Sequence, residues 1–428
     1  MLPILFSRDA EQLKKRLLMR NETDYTEEQK VVDEVLAQVR TKGDEALFDY
    51  IRRFDGFSEV AGDTMLVTEQ ETEDAFRSTD AGLLQVMREA AANIEAFHNR
   101  QKRENWFIES GGKTIGQLYI PVENAGVYVP GGKAAYPSSV LMNIIPAKCA
   151  GVTNISVATP ARNGIVNPVT IAAAKIAGAD KIYKMGGAQA IAAFAYGTQT
   201  IPKMDKITGP GNIYVALAKK SVYGVVGIDM IAGPSEVLVI ADDQANERYI
   251  AADFLSQAEH DEMAACILVT LSEEKAQRVR DEILKQAELL PKKEIVMKSL
   301  TQYGTIIVAE DIADAVAVSN LIAPEHLEIC VQEPMRLLDK IRHAGSIFLG
   351  EYSPEPLGDY FAGTNHVLPT NGTARFSSPL NVDDFQKKSS VIYYTKEEFE
   401  RDYKKVVTFA KAEGLDAHAR SAAIRFED

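Results

Sequence analysis

Glu325 and His326 stand side by side in IAPEHLEI, residues 322–329. A carboxylate beside an imidazole can take up and release protons near neutral pH, which is what general acid–base chemistry needs. The chain has six histidines, so such a neighbour pair is selective. Pro324 suits the first turn of a helix, and carboxylates are favoured there by the helix dipole, so Glu325 also has a structural explanation. His326 does not share it. An imidazolium is disfavoured at a helix N-terminus, and that placement would hold the ring neutral, as a base requires. Cys330 is a poor candidate nucleophile: it lies in the strand-like run LEICV, where a buried cysteine behaves as a small hydrophobe.

Three other clusters carry possible metal ligands. In QAEH (257–260), a helix over about 246–260 would align Asp253, Gln257 and His260 on one stripe. Ile250, Phe254 and Ala258 would form the core stripe beside it. An amide oxygen and an imidazole at this spacing can meet one metal ion. In GDYFAGTNH (358–366), Asp359 and His366 lie in a glycine-containing irregular segment, where a turn explains Asp and Asn equally well. In EGLDAHARSAAIR (413–425), Gly414 reads as a helix stop, with Glu413 before it and His418 in a new helix. Gln257, His260, Asp359 and His418 make a thiolate-free N/O set, compatible with Zn²⁺ but also with Mn²⁺ or Co²⁺.

Three glycine-rich stretches could approach an anion closely: VPGGKAAYPSS (129–139), MGGAQA (185–190) and TGPGNIYVA (208–216). None has the GxGxxG dinucleotide spacing. From spacing alone they suggest a phosphate or nucleotide of unspecified kind.

These residues need a scaffold. Residues 9–55 and 70–105 read as helices; Leu83, Leu84, Val86, Met87, Ala90, Ala91, Ile94 and Phe97 fall on a broad apolar face, with His98 near it, exposed or structurally satisfied. From about 115, short apolar runs alternate with helical stretches: QLYIPV, AGVYVP, NISVAT, DKIYKM and GVVGIDM, then EVLVIAD, AACILVT, GTIIVA and GSIFLG. Alternation of this kind predicts parallel sheet in two α/β series, with a seam near GPSE (233–236). After 350 the chain turns irregular, then helical again over 395–425, a tail with no obvious place on its own chain.

Composition narrows the partners. The net charge of −14 and the lack of a Lys/Arg-rich block argue against nucleic acid. No run of eighteen apolar residues predicts a membrane span, and the N-terminus lacks the cationic start of a signal peptide. Three cysteines without CxxC spacing argue against a disulfide framework and suit the cytoplasm.

Eight separated motifs together resemble the histidinol dehydrogenase family: VYVPGGKAAYPSSVLMN, GGAQAIAAFAYGT, TGPGNIYV, DMIAGPSEVLVIAD, LSQAEHD, APEHLEI, GDYFAGTNHVLPT and EGLDAHARSAAIR. The motifs stand in the expected order, and the resemblance covers nearly the whole chain, from about residue 30 to 425. The resemblance implies an NAD- and zinc-dependent oxidoreductase that converts L-histidinol to L-histidine through the aldehyde with two NAD⁺, the last two steps of histidine biosynthesis. It implies zinc on Gln257, His260, Asp359 and His418, one ion per subunit, and acid–base catalysis by Glu325 and His326. Substrate contacts would fall on Ser235, His366 and Glu413 besides these six residues, and NAD⁺ contacts on Tyr128, Gln189 and Asn212. The implied fold is two incomplete Rossmann-like α/β lobes in an intertwined homodimer. Its parts would be an N-terminal helical extension (1–25), a main lobe (26–118 with 236–376), a second lobe (119–235), and a C-terminal extension (377–428) that completes the partner's site. Two alternatives keep part of the machinery: a related enzyme oxidising another polar alcohol such as a sulfonated diol, and a zinc hydrolase in which Glu325 activates water.

Overall fold

The computed structural model of the chain describes residues 2–18, 24–131, 135–231 and 233–427. Gly132, in the first glycine-rich stretch, lies outside them. Residues 1–101 and 122–385 form one compact unit, and residues 102–121 and 386–428 form another.

The chain opens with a strand, β1 (Ile4–Phe6), so the N-terminal extension is not purely helical. Helices α1 (Ala10–Leu18), α2 (Thr26–Lys42), α3 (Asp44–Asp55), α4 (Glu69–Ser78) and α5 (Ala81–Asn99) follow. Glycine at position 43 divides the stretch expected as continuous helix into α2 and α3. A capping box starts α4: the Thr68 side chain accepts from Glu71 N, and Glu71 reaches back to Thr68 N. On α5 the predicted face buries Leu84, Met87, Ala90 and Ile94, while Leu83, Val86 and Phe97 stay exposed, so the face is narrower than expected. His98 is fully buried and satisfied, its Nδ1 donating to Ile94 O at 2.8 Å.

Helix was expected to continue to 105. Instead, aromatic and β-branched residues form β2 (Trp106–Ser110), which turns through Gly111 and Gly112 into β3 (Lys113–Pro121). Both glycines have positive φ, +59° and +90°, as a tight two-residue hairpin turn requires. QLYIP, expected in the second α/β lobe, therefore belongs to an antiparallel hairpin.

The next series is β4 (Asn124–Tyr128), α6 (Pro137–Ala150), β5 (Asn154–Thr159), α7 (Pro168–Ala177), β6 (Lys181–Lys184), α8 (Gly187–Tyr196), β7 (Lys206–Thr208), α9 (Ile213–Val222) and β8 (Gly227–Ile228). The five strands pair in parallel in the order β6-β5-β4-β7-β8. Helices α2 and α3 share a core with α8 and α9 through Val32, Val39, Leu47, Ala190, Phe194 and Ala218. Helix α5 packs through Leu84, Met87 and Ile94 against Val140, Ile144 and Ile171 of α6 and α7. The helices of 26–99, expected with the 236–376 lobe, thus cover the 124–228 sheet. Alanine-rich α7 and α8 present small side chains, and those earlier helices bury their apolar faces on them.

Beyond the GPSE stretch a second sheet is built from β9 (Glu236–Ala241), α10 (Glu247–Ala258), β10 (Ala265–Thr270), α11 (Glu273–Ala287), α12 (Lys293–Gln302), β11 (Thr305–Val308), α13 (Ile312–Ile322), β12 (His326–Cys330) and β13 (Ser346–Leu349). With β1 added at its edge, the order is β1-β11-β10-β9-β12-β13, parallel throughout. EVLVIA and ACILVT are buried along their whole length, as strands covered on both faces are. A short helix, α14 (Glu355–Tyr360), interrupts the irregular stretch after 350.

The second unit holds a sheet of order β14-β3-β2, in which β14 (Gln386–Tyr394) pairs antiparallel with β3 over nine residues. Helices α15 (Lys396–Ala412) and α16 (Asp416–Ala423) follow, separated by Gly414 with φ +75°. Trp106, Phe107, Ile108, Ile392, Tyr393 and Phe409 of this unit are exposed.

Candidate active site

Glu325 and His326 sit at a strand start, not a helix start. Helix α13 ends with Ala323 in the left-handed region (φ +53°), its N–H donating to Ser319 O, and Pro324 bars further helix. Glu325 and His326 then enter β12, beside the start of β9. Glu236 N donates to Glu325 Oε2 at 2.8 Å, and His326 Nδ1 lies 2.9 Å from Glu236 O. A carbonyl can only accept, so Nδ1 carries a proton and Nε2 is the nitrogen available to act as base. Nε2 has no hydrogen-bond partner and points towards carboxylates: Asp359 Oδ1 at 3.7 Å and Glu355 Oε1 at 4.0 Å.

The amino edge of the sheet gathers the remaining groups. A crossover helix runs antiparallel to the strands it joins, so α10, leaving the carboxyl end of β9, returns its last turn to the amino edge. That turn carries Gln257, with His260 just beyond it. Ser256 Oγ donates to Glu355 Oε2 at 2.9 Å, which ties α10 to α14. Gln257 is 1% exposed, and neither its Oε1 nor its Nε2 has a hydrogen-bond partner. A buried amide left wholly unsatisfied is costly, which makes Gln257 a candidate ligand position. His366 Nδ1 lies 3.0 Å from Asp359 O, and its Nε2 lies 3.4 Å from Ser139 Oγ. Ser235 directly precedes Glu236 at the same edge, and its carbonyl accepts from Ala265 N. At the opposite edge, the Asp242 side chain accepts from Gln244 N, Ala245 N and Gln332 N, closing the crevice between β9 and β12.

The electrostatics differ from a neutral ring at a helix start. Burial alone would depress the His326 imidazolium, but Glu325, Asp359 and Glu355 outweigh it and hold its pKa up to about 9. Burial would raise Asp359, yet His326, His366 and His260 hold it below the usual carboxylate range. Burial pushes Glu355 up against the pull of His326, and it depresses His366 despite Asp359. Asp253 leaves the predicted ligand stripe: burial pushes it up to about 6, and it pairs with Glu328, itself raised by burial and by Asp253. Cys330 is buried, and burial pushes its thiol up, so it is no nucleophile.

The raised His326 value has a measurable consequence in the metal-free chain. Its folded pKa of about 9 exceeds the unfolded value of about 6.5. Protonated His326 therefore stabilises the fold fully below about pH 6.5, and this contribution is lost as pH rises through about 9. In chelator, Tm of the wild type should fall between about pH 7 and 9.5, and His326→Asn should flatten that fall. Parallel Tm curves for the two proteins would contradict the assignment.

Among the described residues, one group of His, Cys, Asp and Glu side chains has ligand atoms within 4.8 Å of one another: His326, Glu355 and Asp359. Asp359 belongs to both this group and the expected zinc set. His260 bears electrostatically on Asp359, Glu355 and His366. His418 and Glu413 lie in the second unit, on α16 and at the end of α15. Sequence reasoning missed Glu355, Glu236 and Ser139. Glu355 follows a proline at a helix start, and Ser139 is in the PSS of α6; both read as ordinary helix-start chemistry.

The three expected cofactor residues share the other sheet's carboxyl edge. Chain order reverses between β4 and β7, the topological switch point where open α/β sheets bind dinucleotides. Tyr128 ends β4, Asn212 caps α9 after β7, and Gln189 lies in the first turn of α8. Gly187 N donates to Tyr128 Oη at 3.1 Å. Gly209 (φ +113°) lets β7 approach β4: a Cβ there would lie 2.0 Å from Tyr128 O. A buried Lys219–Asp229 ion pair grips this glycine from both sides, Lys219 Nζ on its carbonyl and Asp229 on its N–H.

No helix among the described residues is long and apolar enough to cross a membrane. Residues 18–426 match the family described as histidinol dehydrogenase. A histidinol dehydrogenase from Bacillus cereus is 53% identical over 428 residues, covering 99% of each chain. One from Bacillus subtilis is 55% identical over 414 residues, covering 96% of each. The crystal structure of histidinol dehydrogenase from Elizabethkingia anophelis superposes with a TM-score of 0.89 at 41% identity, covering 95% of this chain and 93% of that one. With a family match over residues 18–426 and relatives of this similarity along nearly its whole length, the chain belongs to the histidinol dehydrogenase family of oxidoreductases.

Proposed function

We propose that the chain oxidises L-histidinol to L-histidine through L-histidinaldehyde, with two NAD⁺ and one Zn²⁺ per subunit, as the last two steps of histidine biosynthesis. The observation that carries this reading is the buried Gln257 amide, unpartnered at both atoms, at the same sheet edge as the unpartnered Nε2 of His326. Gln257, His260 and Asp359 would hold the metal from one protomer. Their chemistry fits: an amide oxygen, an imidazole and a carboxylate held anionic, with no thiolate. His418 would be the fourth ligand. Zinc, when bound, supplies a Lewis-acidic anchor for the nitrogen donors of the substrate. NAD⁺, when bound at Tyr128, Gln189 and Asn212, accepts hydride.

The chain's own residues do the proton work. Metal charge at Asp359 would offset the carboxylates that keep His326 protonated and would free Nε2 as a base. Nε2 then takes the hydroxyl proton of the alcohol, while Glu236 O keeps Nδ1–H in place. Glu325, held by Glu236 N, takes a proton from the water that hydrates the aldehyde. Ser235, His366 and Glu413 complete the substrate's surroundings. His366 is fixed by Asp359 O and Ser139.

The exposed apolar residues of the second unit support a homodimer in which residues 377–428 reach a partner and bring it Glu413 and His418. Three free, buried cysteines suit a reducing cytoplasm. The test is NAD⁺ reduction by L-histidinol before and after chelation. Activity should disappear with the metal and return with zinc. Full activity in protein shown to be metal-free would overturn the zinc assignment.

A further inference from the structure

The five-stranded sheet has the strand order of a Rossmann half, with β4 as its first strand and β5 as its second. In such lobes an acidic residue at the carboxyl end of the second strand binds a ribose hydroxyl pair. Here β5 ends at Thr159, Pro160 follows, and the strand carries no acid.

A carboxylate reaches that place from outside the series. Asp55 ends α3, and its carbonyl accepts from Asn163 N at 3.0 Å, which fixes it to the loop after β5. Its carboxylate meets the N–H of Gly186, just beyond β6, and lies close enough to Tyr128, at the end of β4, to add to the rise that burial gives the phenol's pKa. β5 lies between β4 and β6. A side chain that reaches both neighbours therefore stands over the carboxyl end of β5. Pro160 forms the floor: Cβ atoms at Gly131 and Gly186 would lie 3.0 and 2.4 Å from its ring.

We propose that Asp55 is the ribose-binding and cofactor-selecting residue of this enzyme, supplying from α3 the carboxylate that β5 lacks. The inference rests on the NAD⁺ reading of the crevice. One of its oxygens, Oδ2, is buried and has no hydrogen-bond partner, so it can accept from a ribose hydroxyl. Burial pushes the carboxyl up to about 6, against the lowering pull of the Gly186 amide, which leaves it an anion at neutral pH. An anion there repels the 2′-phosphate of NADP⁺. Lys184, at the end of β6, is committed to Glu71 at 2.6 Å and does not offset it. Arg162, exposed in the loop after β5, is the group that would favour the phosphate if it turned inward, so both cofactors enter the test.

The experiment measures Kd for NAD⁺ and NADP⁺ by calorimetry on zinc-loaded wild type, Asp55→Asn and Asp55→Ser, with melting curves alongside. The wild type should prefer NAD⁺. Both variants should bind NAD⁺ about tenfold more weakly, the loss of one hydrogen bond to a charged group, and should narrow the NAD⁺/NADP⁺ preference by at least that factor. An unchanged preference in folded variants, or a wild type that prefers NADP⁺, overturns the role of Asp55 and leaves the dinucleotide reading standing. A wild type that binds neither cofactor overturns both. Asparagine is isosteric, so that variant carries the test should serine fail to fold.

Discussion

His326→Asn should lower kcat for both L-histidinol and L-histidinaldehyde about a thousandfold, the usual size of a lost general base. Glu325→Gln should slow the aldehyde step far more than the alcohol step. The division follows from the hydrogen bonds. His326 donates through Nδ1 to Glu236 O, so Nε2 is the only lone pair the ring can offer. Both oxidations release a proton from an oxygen on the reacting carbon, and both need that lone pair. Glu325 is held by Glu236 N and lies 3.7 Å from His326 Nδ1, on the ring's far side from Nε2. It is not placed to take the same proton as Nε2. In the proposed reaction its task is the additional one of the second half, the activation of water for hydration. Glutamine keeps the shape and the hydrogen bond from Glu236 N but cannot take a proton. Single-turnover NADH formation from each substrate separates the steps. Equal losses in the two steps would remove the division of labour.

Mixing two inactive proteins should restore activity. His326→Asn lacks its base and His418→Asn lacks a ligand, and each homodimer should be close to inactive. In a heterodimer, the His418→Asn protomer keeps His326 and can receive His418 from its partner, so one of its two sites is whole. Random reassortment makes half the dimers mixed and should recover roughly a quarter of wild-type activity. The expectation rests on the second unit, which carries Glu413 and His418 beside exposed Ile392, Tyr393 and Phe409. Apolar groups in that number seldom stay in water. Absence of recovery after verified subunit exchange would confine each site to one chain.

The parallel strands and most helices were legible because they are locally consistent. EVLVIA and ACILVT are unbroken apolar runs of strand length, and α10 begins at an Asn246 cap and ends where its apolar stripe ends. Three features were not legible, for physical reasons. APEH contains a proline that suits a helix start and a helix stop equally; the left-handed Ala323 decides for the stop, and no propensity announces a left-handed alanine. The Trp106–Ser110 strand follows an amphipathic helix without a strong break, and only Gly111–Gly112 marks the hairpin. Which sheet the 26–99 helices cover is a matter of tertiary packing, which periodicity does not encode.

The candidate site was legible as residue types and not as an arrangement. Glu325, His326, Gln257, His260 and Asp359 stand out by chemistry. That they lie towards the amino edge of a parallel sheet runs against the usual rule that ligands bind at carboxyl ends. At the carboxyl edge of β9 the Asp242 side chain is committed to Gln244 N, Ala245 N and Gln332 N. Glu355 was invisible because its role comes from Ser256 and His326, which lie far from it in sequence and meet it only on folding.

The most direct measurement is the number of NADH formed per L-histidinol consumed by the zinc-loaded protein, with the product identified by chromatography. Two NADH and free L-histidine are predicted, because one base serves both oxidations and Glu325 supplies the hydration between them. One NADH with the aldehyde as final product, or none from folded, zinc-loaded protein, would contradict the account.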